Sequence, residues 1–70
     1  MTILIDNAEY IRSHAKAPRG FGLWMFYLES FGVDPVIVQF TGNYAAARRA
    51  ATQHVRKVLG WNGATIHPLP

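Results

Sequence analysis

Gly22-Leu23-Trp24-Met25-Phe26-Tyr27-Leu28-Glu29, followed after a short loop by Val36-Ile37-Val38-Gln39-Phe40-Thr41, is the stretch on which the fold turns. The first run is dense in aromatic side chains, which suit a pleated surface. The loop between the runs, Phe31-Gly32-Val33-Asp34-Pro35, carries turn chemistry. Two apolar runs around a short Gly- and Pro-containing loop predict an antiparallel hairpin. Pro35 sits at the second strand's first position, where it removes no interior ladder bond.

The first strand is apolar on both faces. Leu23, Met25 and Tyr27 point one way, and Trp24, Phe26 and Leu28 the other. A single helix covers only one face of a small sheet. The other face calls for residues 1–17, for a second copy of the chain through homodimerisation, or for a ligand. Left exposed, Trp24 and Phe26 would form an apolar anchor for a partner. They could also stack bases of single-stranded nucleic acid, although the bases that such a platform interleaves are missing around them.

Downstream, Tyr44 to Leu59 predicts a helix. Thr41 or Asn43 can cap its first turn. Alanines at 45, 46, 47, 50 and 51 supply helicity, and Gly60 stands where a C-terminal cap needs positive φ. At helical spacing Tyr44, Ala47, Ala51, Val55 and Val58 share one side. Arg49, Gln53, Arg56 and Lys57 share the other, with Arg48 near the apolar edge, its stem along the sheet rim. After a turn at Trp61-Asn62-Gly63, Ala64-Thr65-Ile66-His67 reads as a short returning strand, with Pro68 and Pro70 ending its pairing. The crossover would set it parallel to the second strand or to one beyond it.

This is a small α+β fold, a ββαβ core in a single domain over residues 1–70. The N-terminal part admits two readings. Asp6-Asn7-Ala8-Glu9 resembles a capping box with Asp6 as cap, opening a helix over about Asn7 to Lys16. Alternatively Tyr10–His14 forms a strand paired with Gly22–Glu29 across the turn at 18–20.

Composition narrows the class. Half of the 70 residues are hydrophobic and 13% are aromatic, a folding composition. Size scaling gives a folded surface of about 4,400 Å² against about 11,300 Å² extended, so folding buries roughly 60%. No apolar run approaches the about 18 residues of a membrane span. The start lacks the basic and hydrophobic regions of a signal peptide. Without cysteine there is no disulfide framework and no thiolate metal site. A cytoplasmic protein is expected.

Charge is uneven. Residues 1–34 sum to −1; residues 35–70 carry Arg48, Arg49, Arg56 and Lys57, no acid, and sum to +4. Such a cluster attracts phosphate or an acidic protein face; it is also what a solvated helix needs for solubility. His14, His54 and His67 lack the spacing of a zinc pair. Neither Ser13 nor Ser30 lies in a nucleophile motif, the four carboxylates suggest no acid–base pair, and Ala17–Gly22 has no nucleotide-binding pattern. No catalytic set, metal site or cofactor is expected.

The hairpin Gly22–Phe26, followed by Phe40-Thr41-Gly42-Asn43-Tyr44-Ala45-Ala46-Ala47-Arg48-Arg49, resembles short accessory proteins of phages and plasmids of proteobacteria, over about residues 20–60. Among these are the anti-CRISPR inhibitors, non-enzymatic proteins that block a nucleoprotein complex by occupying a surface. Most of them are acidic mimics of nucleic acid, and this basic chain departs from that pattern. The resemblance carries no residue roles.

Three functions follow as expectations. The first is a non-enzymatic protein that binds a protein or nucleoprotein complex, as a mobile-element inhibitor of host defence, through Arg48, Arg49, Gln53, Arg56, Lys57, Trp24 and Phe26. The second is a DNA- or RNA-binding protein using helix 44–59. The third is an RNA-cleaving toxin that uses His14 or His54 near Arg12 or Arg49; Arg12-Ser13-His14 partly echoes the Gly-Ser-His motif of small interferase toxins, without its glycine.

Overall fold

In a computed structural model, which describes residues 2–69, the chain runs β1 (Thr2–Ile5), α1 (Ala8–His14), β2 (Phe21–Glu29), β3 (Val36–Asn43), α2 (α-helical over Tyr44–Gln53 and continued by a π-helical turn over His54–Leu59) and β4 (Gly63–Pro68). The strands form one mixed sheet in the order β1-β4-β2-β3. The fold is a small α+β fold, with the β2–β3 hairpin at its centre of construction. Trp24 pairs with Phe40, Phe26 with Val38 and Leu28 with Val36, all on the helix side.

β4 does not lie where the crossover suggested. It runs in the same direction as β3 but binds the far side of β2, antiparallel to it, with Tyr27 opposite His67 and Leu28 opposite Ile66. Its other edge takes β1 in parallel, Ile3 opposite Ala64 and Ile5 opposite Ile66. Pro68 does not end the pairing. It is itself paired, opposite Phe26, as the last residue of β4, and the Leu69 amide still donates to the Met25 carbonyl at 2.8 Å. Pro70 lies outside the described residues.

The N-terminal segment is both strand and helix. Thr2–Ile5 completes the sheet, a role no local signal assigned to it, and the helical reading holds for Ala8–His14. The strand alternative for Tyr10–His14 is overturned. So is the capping box. Asn7 is the cap position, the Asp6 carboxylate accepts from the Ala8 amide at 3.0 Å, and Glu9 turns to Arg12 at 2.7 Å. The helix stops two residues before Lys16, with Ala15 at φ 57°.

α2 opens as expected, Asn43 accepting from the Ala46 amide at 2.8 Å. Its last stretch, His54–Leu59, is a π-helical turn in which the Gly60 and Trp61 amides both donate to the Val55 carbonyl. A π-turn advances less per residue than an α-helix. Val58 therefore lags behind the core face and is 69% exposed, whereas Leu59 packs against the core. Gly60 closes the helix at φ 66°.

Both helices lie on one side of the sheet. Their apolar faces and one sheet face enclose Trp24, Phe26, Leu28, Ala47, Ala51, Val55 and Ile66. Ala47 and Ala51 bring α2 close to the strands. Trp24 is the joint. Its ring lies 5.7 Å from Tyr10 of α1 and 5.0 Å from Tyr44 of α2, and its indole donates to the Gly20 carbonyl at 3.2 Å.

Gly63 shows how tightly β1 is seated. A Cβ there would stand 2.9 Å from the Thr2 carbonyl oxygen, a backbone atom. Gly63→Ala is expected to cost roughly 1–3 kcal/mol, as overpacking does. Urea unfolding followed by circular dichroism measures it, and an unchanged midpoint would show that β1 is loosely held.

Candidate functional site

The basic residues sit on α2 because its small side chains are spent on the sheet. With Ala47, Ala51 and Val55 buried, Arg48, Arg49, Gln53 and Arg56 are directed outward along the flank of the helix that borders β1. Between them is a groove of about 400 Å³ lined by Ile3, Ile5, Arg48, Arg49, Thr52, Gln53 and Arg56. Its floor is aliphatic, from β1; its wall is basic, from α2. No acid lines it. Among the described residues, the three guanidinium groups form no salt bridge.

Local bonds hold the wall in place. The Arg48 guanidinium lies 5.9 Å over the Tyr44 ring, in the range of a cation–π contact. Thr52 donates its hydroxyl to the Arg48 carbonyl at 3.1 Å. Four of the five polar residues read from the sequence, Arg48, Arg49, Gln53 and Arg56, are thus brought together, and Lys57 stays exposed outside the groove.

Trp24 and Phe26 do not belong to this site. Phe26 is fully buried and Trp24 nearly so, both beneath the helices. They anchor the core and present no apolar surface to a partner, and neither offers a ring on which a base could stack.

The uncovered face is the other one. Residues 1–17 do not close it, because α1 packs on the same side as α2, through Tyr10 against Trp24. Leu23, Met25, Tyr27 and Ile37 lie on the open face, beside a feature the sequence did not signal. His67 stands between two carboxylates, its Nε2 2.7 Å from Glu29 and its Nδ1 3.7 Å from Asp6. The carboxylates address opposite edges of the ring and do not converge on a point. Among the described residues no group of three His, Asp or Glu side chains is placed to hold a metal ion. A shallow recess of about 1050 Å³ adjoins this face, lined in part by Leu4, Glu29, Phe31 and Trp61.

The other histidines are apart. His14 stacks on Tyr10 at 4.1 Å, and His54 meets Phe40 edge-on at 6.5 Å. Among the described residues neither is bonded to a carboxylate, and the structure offers the toxin reading no orienting partner for a general base. Only the register of β4 against β2 could have found the His67 cluster, since Asp6, Glu29 and His67 are far apart in the chain.

Among the described residues, no helix is long and apolar enough to cross a membrane. Compared with known proteins, the chain matches no family model, no curated protein and no solved structure.

Tyr44 ties the site to the rest of the fold, donating its hydroxyl to Asn7 at 3.2 Å. Burial pushes its phenol above the ordinary 10.0, and the Arg48 charge offsets part of that rise. The folded chain thus keeps this proton to higher pH than the unfolded chain. Its contribution to stability is complete below about pH 10 and is lost as pH rises through the folded-state value. Tyr44→Phe is expected to cost about 1 kcal/mol at neutral pH through the lost hydrogen bond, and to show a smaller alkaline decline than the wild type. Urea midpoints on either side of pH 10 decide this; identical declines in the two proteins would assign the effect elsewhere.

Proposed function

We propose that this chain is a non-enzymatic binding protein that docks an acidic face of a protein or nucleoprotein complex into the groove between α2 and β1. Occupying such a surface would let it act as an inhibitor of the assembly it binds, in the manner of the mobile-element inhibitors of host defence, inside the cytoplasm. One observation carries the reading. Arg48, Arg49 and Arg56 form an acid-free wall over the aliphatic floor of Ile3 and Ile5. That combination suits a segment with carboxylates on one side and apolar side chains on the other. Arg supplies planar, bidentate recognition of carboxylate at modest desolvation cost.

The same wall favours a second reading, direct binding of nucleic acid. Arg49 and Arg56 are seven residues apart, about 10 Å along a helix, enough to reach separate phosphates. The groove contains no aromatic ring for base stacking, so this binding would rest on the phosphate backbone alone and show little sequence preference.

The two readings separate in one set of experiments. Affinity capture with wild-type and Arg49→Glu/Arg56→Glu baits is expected to recover a stoichiometric partner with the wild type only. Recovery of the same proteins by both baits, or of none, would sink the docking reading. Labelled single- and double-stranded oligonucleotides, titrated at about 50 and about 200 mM salt, test the alternative. Three or four phosphate contacts on duplex DNA predict a log–log salt slope of about −3, and a flat response removes it.

A further inference from the structure

We propose that the groove beside α2 takes its partner as an added strand: an extended segment of another protein, with acidic side chains at alternate positions, pairs along the free edge of β1. This deepens the docking reading given above and rests on it.

β1 is an edge strand, bonded to β4 alone. Its phase is fixed at both ends. The Thr2 carbonyl lies against Gly63 of β4, and the Asp6 amide, just past the strand, donates to the Ile66 carbonyl at 2.9 Å. Along a strand, the backbone groups of successive residues point to opposite edges. The amides and carbonyls of Ile3 and Ile5 therefore point away from β4, and among the described residues no strand pairs with them. Such an edge is a template for an extended chain. Thr2–Ile5 carries none of the charges or prolines that blunt an edge. The same Ile3 and Ile5 form the floor of the groove, to which β3, the other edge strand, contributes nothing.

Charge and spacing specify the segment. Arg48 and Arg56 are about 12 Å apart along the helix. Strand residues four apart share a face and are about 13 Å apart. A segment lying along β1 would thus meet both guanidinium groups with carboxylates from one of its faces, in the charge-assisted bonds that Arg favours. Its other face would lie beside Leu4, which is 58% exposed on the open side of the sheet, and calls for apolar side chains there. The segment belongs to a different chain. The acids of this one, Asp6, Glu9, Glu29 and Asp34, are never two or four residues apart, so no stretch of it carries the alternation.

The probe is a short capped peptide of alternating valine and glutamate, titrated into the isotope-labelled full chain and followed by nuclear magnetic resonance. Its controls are an isomer with the glutamates grouped together and a pair of forms N-methylated at alternate residues, one for each edge of the peptide. At saturation, hydrogen exchange at the Ile3 and Ile5 amides is expected to slow about tenfold or more. The grouped isomer, one of the N-methylated forms and the Arg49→Glu/Arg56→Glu variant are each expected to weaken binding about tenfold or more. The wild type carries the decisive readout, so the result does not depend on the variant folding. Binding that leaves the Ile3 and Ile5 amides unprotected, or that both N-methylated forms match, overturns strand addition and leaves the groove as a docking site for acidic side chains alone. No binding of the alternating peptide at about 1 mM also overturns it; the docking reading then stands or falls by the affinity capture, which does not use this peptide. Displacement of the peptide by duplex oligonucleotide at lower concentration overturns it in favour of nucleic acid.

Discussion

The packing of Trp24 against Tyr10 and Tyr44 is the contact on which the rest of the structure depends. One indole on the central strand touches both helices, so α1 and α2 lie on the same side of the sheet. Phe26 and Leu28, on the same face of β2, fall beneath them and are fully buried. Placing both helices there gives a sealed core and leaves Leu23, Met25 and Ile37 uncovered. The closed core and the open face are two sides of a single choice.

The same choice creates the basic groove. With Ala47 and Ala51 turned inward, the flank of α2 comes to rest near β1, one of the two edge strands. β1 contributes Ile3 and Ile5, and α2 contributes its arginines. Neither half is a site alone. The helix by itself is a charged surface, and the strand by itself is a short apolar edge. Their union depends on β4, which reaches between β1 and β2 and fixes β1 in place through a close approach at Gly63. The π-helical end of α2 contributes too, turning Val58 outward while Leu59 keeps its contact with the core.

Much of this was legible in the residues. The hairpin was readable because its signals are local: aromatic strands around a Gly- and Pro-containing turn. Helix α2, its Asn43 cap and its Gly60 terminus were readable for the same reason, and so was a shared face for Arg49, Gln53 and Arg56, whereas the structure adds Arg48 to them and leaves Lys57 outside. The misreadings of the sheet share one physical origin, partners distant in the chain. Trp24 and Phe26 looked as available as Leu23 and Met25, because alternation separates the two faces of a strand without saying which one is covered. Pro68 looked like a stop because its ring removes a donor, yet it is itself paired with Phe26 at the end of β4, and one further bond follows it.

By itself, the sequence determined the hairpin, the helix that follows it, the returning strand near the C-terminus and the acid-free basic cluster. Turn chemistry, capping and helical spacing act within a few residues, and they are written in the order of the chain. Only the tertiary structure decided which face of β2 became core, where β4 and β1 joined the sheet, and that His67 meets Asp6 and Glu29. Those outcomes rest on contacts between residues far apart in the chain, where burial of the largest apolar surface selects among arrangements that local preferences leave equal.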